Sequence, residues 1–227
     1  MKKFICLTLA VLMTAFVFVS CDAQKTPADT QPPQDTTPHV APKAEDIDLS
    51  PIDSLDGVTV SDTATDYVLI TVEGYGQMLV RLFPDVATET VANFKKLVGE
   101  GFYDGLIFHR VIKGFMIQGG DPEGTGFGGA SQTIKGEFAE NGFENNLAHV
   151  RGVVAMARST HPNSASSQFY ICHKDSGVAS LDGKYAAFGF VVNGIEIVDK
   201  IVKVNTNEND KPLKDVVISS IKFVKVD

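Results

Sequence analysis

Phe108-His109-Arg110-Val111-Ile112-Lys113-Gly114-Phe115-Met116-Ile117-Gln118-Gly119-Gly120-Asp121 is the stretch on which the fold turns. Residues 106–112 and 115–118 read as two short strands, rich in β-branched, aromatic and long apolar side chains, on either side of Lys113-Gly114. Upstream, residues 67–72 alternate and are rich in Val, Ile and Thr, which predicts a strand. Gly74-Tyr75-Gly76 is a turn, and residues 77–83 complete a hairpin. Pro84-Asp85 opens a helix in which Val86, Val91, Phe94, Leu97 and Val98 fall at helical spacing, and Gly99 and Gly101 end it. Downstream, residues 119–142 form a glycine-rich loop region. Strands follow at 152–157, 168–172 and 186–192, then a short helix at 195–202 and a last strand at 216–226. Two strands, a helix, many strands, a helix and a strand suit a closed antiparallel barrel with helices over its ends better than a parallel α/β sheet.

The opening stretch does not stand alone. Ala155-Met156-Ala157-Arg158, then Ser166-Ser167-Gln168-Phe169-Tyr170-Ile171, then Leu181-Asp182-Gly183-Lys184-Tyr185-Ala186-Ala187-Phe188-Gly189 follow it in order. Together these motifs resemble the cyclophilin-type peptidyl-prolyl cis–trans isomerases, over roughly residues 67–226. The resemblance implies a mainly β fold, a closed eight-stranded antiparallel β-barrel capped by two α-helices. It implies no metal and no cofactor. It also implies roles: Arg110, Gln168 and Phe115 as catalytic residues, with Gln168 contacting the substrate backbone and helping to position Arg110. Phe115, Met116, Tyr170 and Leu181 would line a proline pocket. Gln118, Gly124, Ala157 and the backbone of Arg158 would contact the peptide, with His109 and Tyr185 at the pocket edge.

The chemistry can be argued beside the resemblance. Twisting an X–Pro bond breaks amide resonance, over a barrier of about 18–20 kcal/mol. In the twisted state the proline nitrogen gains a lone pair. A catalyst needs a fixed donor near that nitrogen and a dry pocket for the ring. A guanidinium stays charged and presents a rigid fork of donors. Binding the twisted form more tightly than the planar forms is sufficient; no nucleophile, acid or base is required. The expected activity is isomerisation of X–Pro bonds in exported proteins. The alternative is a module that grips proline-containing segments as a chaperone or adaptor without turnover.

Three positions depart from the family pattern. Tyr170 takes a place usually held by Phe, and its added hydroxyl requires a partner. Tyr185 stands where the best-known eukaryotic members carry His. Ser180 stands where those members carry the Trp that helps bind cyclosporin, so weak inhibition by cyclosporin is expected. Gly124, Gly126 and Gly129 satisfy G-x-G-x-x-G, but no helical pattern follows them, which argues against a nucleotide loop. His149, His161 and His173 show no metal spacing and read as surface or loop histidines. Cys172 follows an apolar strand and reads as a small buried residue.

The 227 residues carry a net charge of −8, with 44% hydrophobic and 21% charged residues. Without a basic stripe, this acidic chain offers little to the phosphates of nucleic acid. Met1-Lys2-Lys3 followed by the 16 apolar or hydroxyl residues 4–19 reads as a signal peptide, too short for a span of about 20 residues. Phe18-Val19-Ser20-Cys21 resembles a lipobox, with an atypical Phe18. The expected organisation is therefore residues 1–20 as signal peptide, 21–66 as a lipidated Cys21 and a disordered Pro/Thr/Asp-rich tether, and 67–227 as the isomerase domain. Such a chain would be exported and lipid-anchored to a membrane of the bacterial cell envelope. Residues 45–66, acidic with scattered Ile, Leu and Val, could extend the tether or pack on the domain.

Overall fold

The computed structural model describes residues 41–226. The leader, Cys21 and the spacer up to residue 40, His39 included, lie outside the described residues. Nine strands form one antiparallel sheet: β1 (Val58–Val60), β2 (Tyr67–Val72), β3 (Gly76–Leu82), β4 (Arg110–Ile112), β5 (Met116–Gly119), β6 (Val153–Met156), β7 (Phe169–Cys172), β8 (Ala187–Asn193) and β9 (Ile218–Val226). Their order is β1-β9-β2-β3-β8-β6-β7-β5-β4. The expectation of a closed eight-stranded barrel is corrected on both counts. The ninth strand is β1, which pairs with the end of β9. The ladder is open at β4, because the segment before it meets the chain before β9 through an isolated bridge, Ile107 to Val217. Gly105 and Phe108 donate there to the carbonyls of Ile218 and Val216, at 2.8 and 2.9 Å.

The helices are α1 (Thr88–Gly99), α2 (Asp175–Val178) and α3 (Ile195–Ile201), so a four-residue α2 joins the two expected ones. Helix α1 buries Thr90, Val91, Phe94, Leu97 and Val98. Its first amides would be unsatisfied; those of Glu89 and Thr90 donate to the buried Glu137 carboxylate at 2.9 and 2.8 Å. Phe94 then meets Tyr103, Phe169 and Phe188 with ring centroids 5.1, 5.6 and 5.1 Å away. Truncating a ring buried this way costs about 3–5 kcal/mol. This aromatic cluster fixes β7 and β8 against the helix, and β7 carries one wall of the site.

Whether residues 45–66 pack on the body is settled by contact. Ile47 and Leu49 pack against the cluster containing Met116, Tyr170 and Cys172. Ile52, Leu55 and Val58 cover Leu79, Val192 and Val224. Ile52 donates to the Val192 carbonyl at 2.7 Å, and Asn193 Nδ2 donates to the Ile52 carbonyl at 2.7 Å. The apolar residues scattered through this acidic stretch are the ones that make the contact.

Candidate active site

Strands β4 and β5 form a hairpin in which Arg110 lies opposite Gln118 and Ile112 opposite Met116. Its turn requires Gly114, whose φ is +88°. The Gly114 amide donates to His173 Nδ1 at 2.8 Å, and Gly177 of α2 approaches the Gly114 carbonyl so closely that a side chain there has no room. The turn that sets Phe115 is therefore held from two sides. Strand β7 lies next to β5, placing Tyr170 opposite Gln118 and Cys172 opposite Met116.

These strands bring Arg110, Phe115, Met116, Gln118, Ala157, Arg158, Tyr170, Leu181 and Tyr185 around one depression of about 210 Å³. Two neighbouring depressions share its walls. One runs between Gln118, Ala157, Gln168 and the loop at Gly126–Gly129. The other lies beyond Arg110, along His109, Gly124, Phe127 and Lys211. All twelve predicted site residues line this continuous groove. Met116 and Tyr170 are buried, Phe115 and Leu181 half-buried, and the Arg110 side chain keeps 43% of its exposure. A charged donor thus stands at the lip of an apolar hollow.

The resemblance implied that Gln168 helps to position Arg110; its side-chain hydrogen bonds go elsewhere. Its Oε1 accepts from Gln118 Nε2 at 2.8 Å, and its Nε2 donates to the carbonyls of Gly126 and Gly128 at 3.0 and 2.7 Å. It ties the glycine loop to β5. The ion-pair partner of Arg110 is Asp210, which no sequence motif singles out: Asp210 Oδ2 lies 3.5 Å from Arg110 Nε. The Arg158 side chain turns to the rim, with its guanidinium 4.7 Å from the Tyr185 ring and 4.9 Å from the Phe138 ring. It also donates to the Lys184 carbonyl at 3.0 Å.

The amides of the glycine loop are already engaged within the loop. The Asp121 carboxylate accepts from the amides of Glu123, Thr125, Gly126 and Gly128, at 2.8, 2.9, 2.6 and 3.3 Å. Those amides are the donors a phosphate would need. They hold the Asp121 carboxyl below its ordinary pKa despite its burial. The next helical turn is a three-residue 3-10 segment at Ala139–Asn141, not a helix opening on the loop.

The three histidines read as surface or loop residues all lie outside helices and strands, but two of them are buried. His149 is 2% exposed and His173 4%, each beside an aspartate. Tyr170 Oη lies 3.0 Å from His149 Nε2, and His149 Nδ1 lies 2.9 Å from Asp182 Oδ1. The hydroxyl at the pocket floor thus has its partner, and the sequence could have hinted at it only through the unusual Tyr170. His173 Nε2 sits 3.2 Å from Asp199, itself held by two bonds from Arg151 at 2.8 and 2.7 Å. His161 is exposed, as expected, and Cys172 is fully buried, with burial pushing its thiol pKa up.

The site is thus an arginine at the lip of an apolar hollow, with a longer groove running past it. The comparisons agree: the model of the family described as cyclophilin type peptidyl-prolyl cis-trans isomerase/CLD matches residues 67–223. The chain belongs to that family. It is 40% identical over 174 residues to a putative bifunctional phosphatase/peptidyl-prolyl cis-trans isomerase of Streptococcus pyogenes, a match covering 65% of this chain and 36% of that protein. It thus spans about a third of that longer relative. It is 41% identical over 157 residues to peptidyl-prolyl cis-trans isomerase B of Escherichia coli, covering 65% of this chain and 93% of that one. A Cryptosporidium parvum cyclophilin type peptidyl-prolyl cis-trans isomerase, crystallised in the presence of the dipeptide Ala-Pro, superposes with a TM-score of 0.63 at 33% identity, covering 69% of this chain and 97% of that chain.

Proposed function

We propose that this chain isomerises X–Pro bonds in polypeptides, with the twisted bond lying over the hollow between Phe115, Met116, Tyr170 and Leu181. One observation carries the reading: the half-exposed Arg110 guanidinium stands at the lip of that hollow. The ring enters the apolar floor, and the guanidinium donates to the nitrogen lone pair that exists only in the twisted state. A donor used only there lowers the barrier without tightening the ground state. Removing one such preorganised donor costs about 10²–10³ in rate elsewhere. Arg110→Ala is expected to lose a comparable factor in a proline-peptide isomerisation assay while the melting temperature stays within about 2 °C. Equal rates for the two chains would sink the mechanism. The absence of any rate above the uncatalysed one in the unaltered chain would favour a proline-segment binding module.

The clients we infer are exported proteins, whose slow proline steps limit folding. The supporting residues are Met1-Lys2-Lys3, the apolar run 4–19 and the lipobox-like Phe18-Val19-Ser20-Cys21. Cys21→Ala should abolish acylation and move the chain out of the membrane fraction; unchanged fractionation would count against the anchor.

A further inference from the structure

Asp210 is the described non-glycine residue with a left-handed backbone, at φ +61°. Such a conformation costs free energy in a residue with a Cβ, and its persistence points to a local function. The surrounding loop enforces it. Asn207 Oδ1 accepts from the amides of Asn209 and Lys211 at 2.9 and 3.0 Å, and the Asn207 amide donates to the Lys211 carbonyl at 2.8 Å. The Asp210 carbonyl accepts from Val111, the neighbour of Arg110, at 2.8 Å. Lys211 Nζ holds the loop to the Gly124 carbonyl at 2.9 Å, at the edge of the groove.

The result is a carboxylate placed 3.5 Å from Arg110 Nε. Among the described residues Arg110 has no other ion-pair partner, and its two terminal nitrogens carry no hydrogen bond. Contact through Nε is the arrangement that restrains the long side chain while leaving both terminal donors for a substrate. Glycine would accept the backbone at no steric cost, so the carboxylate is what aspartate adds there.

We propose that Asp210 is a positioning residue for Arg110, which aims the guanidinium fork over the proline pocket. The inference rests on the isomerase reading above. Because the side chain acts on orientation, it should matter in the twisted state more than in binding. The test uses the full chain with Asp210→Gly, Asp210→Asn and Arg110→Ala, measuring melting temperature, peptide affinity by nuclear magnetic resonance titration, and the isomerisation rate of the bound peptide. Asp210→Gly should melt no lower than the unaltered chain, bind a proline peptide within about twofold, and isomerise it about 5–20-fold more slowly. Asp210→Asn, which keeps the shape and loses the charge, should show the same loss. If Arg110→Ala is slow while both Asp210 variants turn over at the original rate, the positioning role is overturned and the isomerase reading stands. If Asp210→Gly loses rate only in step with a lowered melting temperature or weakened binding, the residue is structural and the proposal fails. If Arg110→Ala is unimpaired, the reading beneath both falls.

Discussion

The Tyr170 hydroxyl sits 3.0 Å from His149 Nε2, under the hollow that would receive a proline ring. His149 passes the interaction on: its other ring nitrogen and its backbone amide both face Asp182 Oδ1, at 2.9 and 2.6 Å. Asp182 adjoins Leu181, so floor and wall of the pocket are joined through a buried imidazole. With Nδ1–H donating to Asp182, Nε2 is free to accept from the phenol, and neutral histidine satisfies all three groups.

Tyr170→Phe removes the donor and leaves His149 Nε2 buried and unpaired. The expected loss is about 1–2 kcal/mol of stability, read from the urea midpoint at constant slope. Isomerisation should stay within about threefold, because the ring itself remains. An unchanged midpoint would show that the hydrogen bond adds nothing.

Acid should act through histidines before carboxylates. Burial lowers the pKa of His109, His149 and His173 below the ordinary 6.5, although aspartates oppose it in each case. A histidine with a depressed native pKa binds its proton more tightly in the unfolded chain. Its contribution to stability is therefore complete above pH 6.5 and disappears as pH falls through the lower native value. Stability should decline below about pH 6.5, well before Asp121 and Asp199, whose pKa values lie below the usual 3.8, begin to titrate. Urea midpoints across this range give the test; a flat profile down to about pH 5 would contradict it.

A chain shortened to begin at Tyr67 would match the family boundary but uncover Leu79, Val192 and Val224. Ile47, Leu49, Ile52 and Leu55 are partly buried, so each contributes on the order of 1 kcal/mol. The shortened chain should melt about 10 °C lower than one beginning at residue 41. Equal melting temperatures would make residues 41–66 dispensable.

Ser180 is exposed beside Leu181 and offers no indole to a drug. Cyclosporin should inhibit weakly, and Ser180→Trp should tighten it about 10–100-fold, as expected for one added aromatic contact. Inhibition of the unaltered chain at low nanomolar concentration would refute this.

What the sequence disclosed follows from range. The alternation of residues 67–72 specified β2 to the residue, and the helical spacing from Val91 to Val98 located α1, because these signals are local. The pocket was legible because its residues lie in contiguous motifs. Strand β1 was not, since Val58-Thr59-Val60 becomes a strand only by pairing with Val224–Val226. His149 is partnered by an aspartate 33 positions away, and Asp210 by an arginine in another motif. Polar partnerships of that reach leave no periodic trace in a sequence.

The open ladder bears on how such molecules behave when crowded. An unpaired strand edge invites another chain to add to it. Here β9 is covered piece by piece: residues 216–218 by the segment before β4, the Ile221 amide by Asp104, and the last residues by β1. At the other end, the Val111 amide of β4 is taken by the Asp210 carbonyl. What remains at the margin is β1, a strand of three residues, and an edge that short gives a second chain little to pair with. The pieces that cover β9 thus also guard the sheet against acting as a template for aggregation.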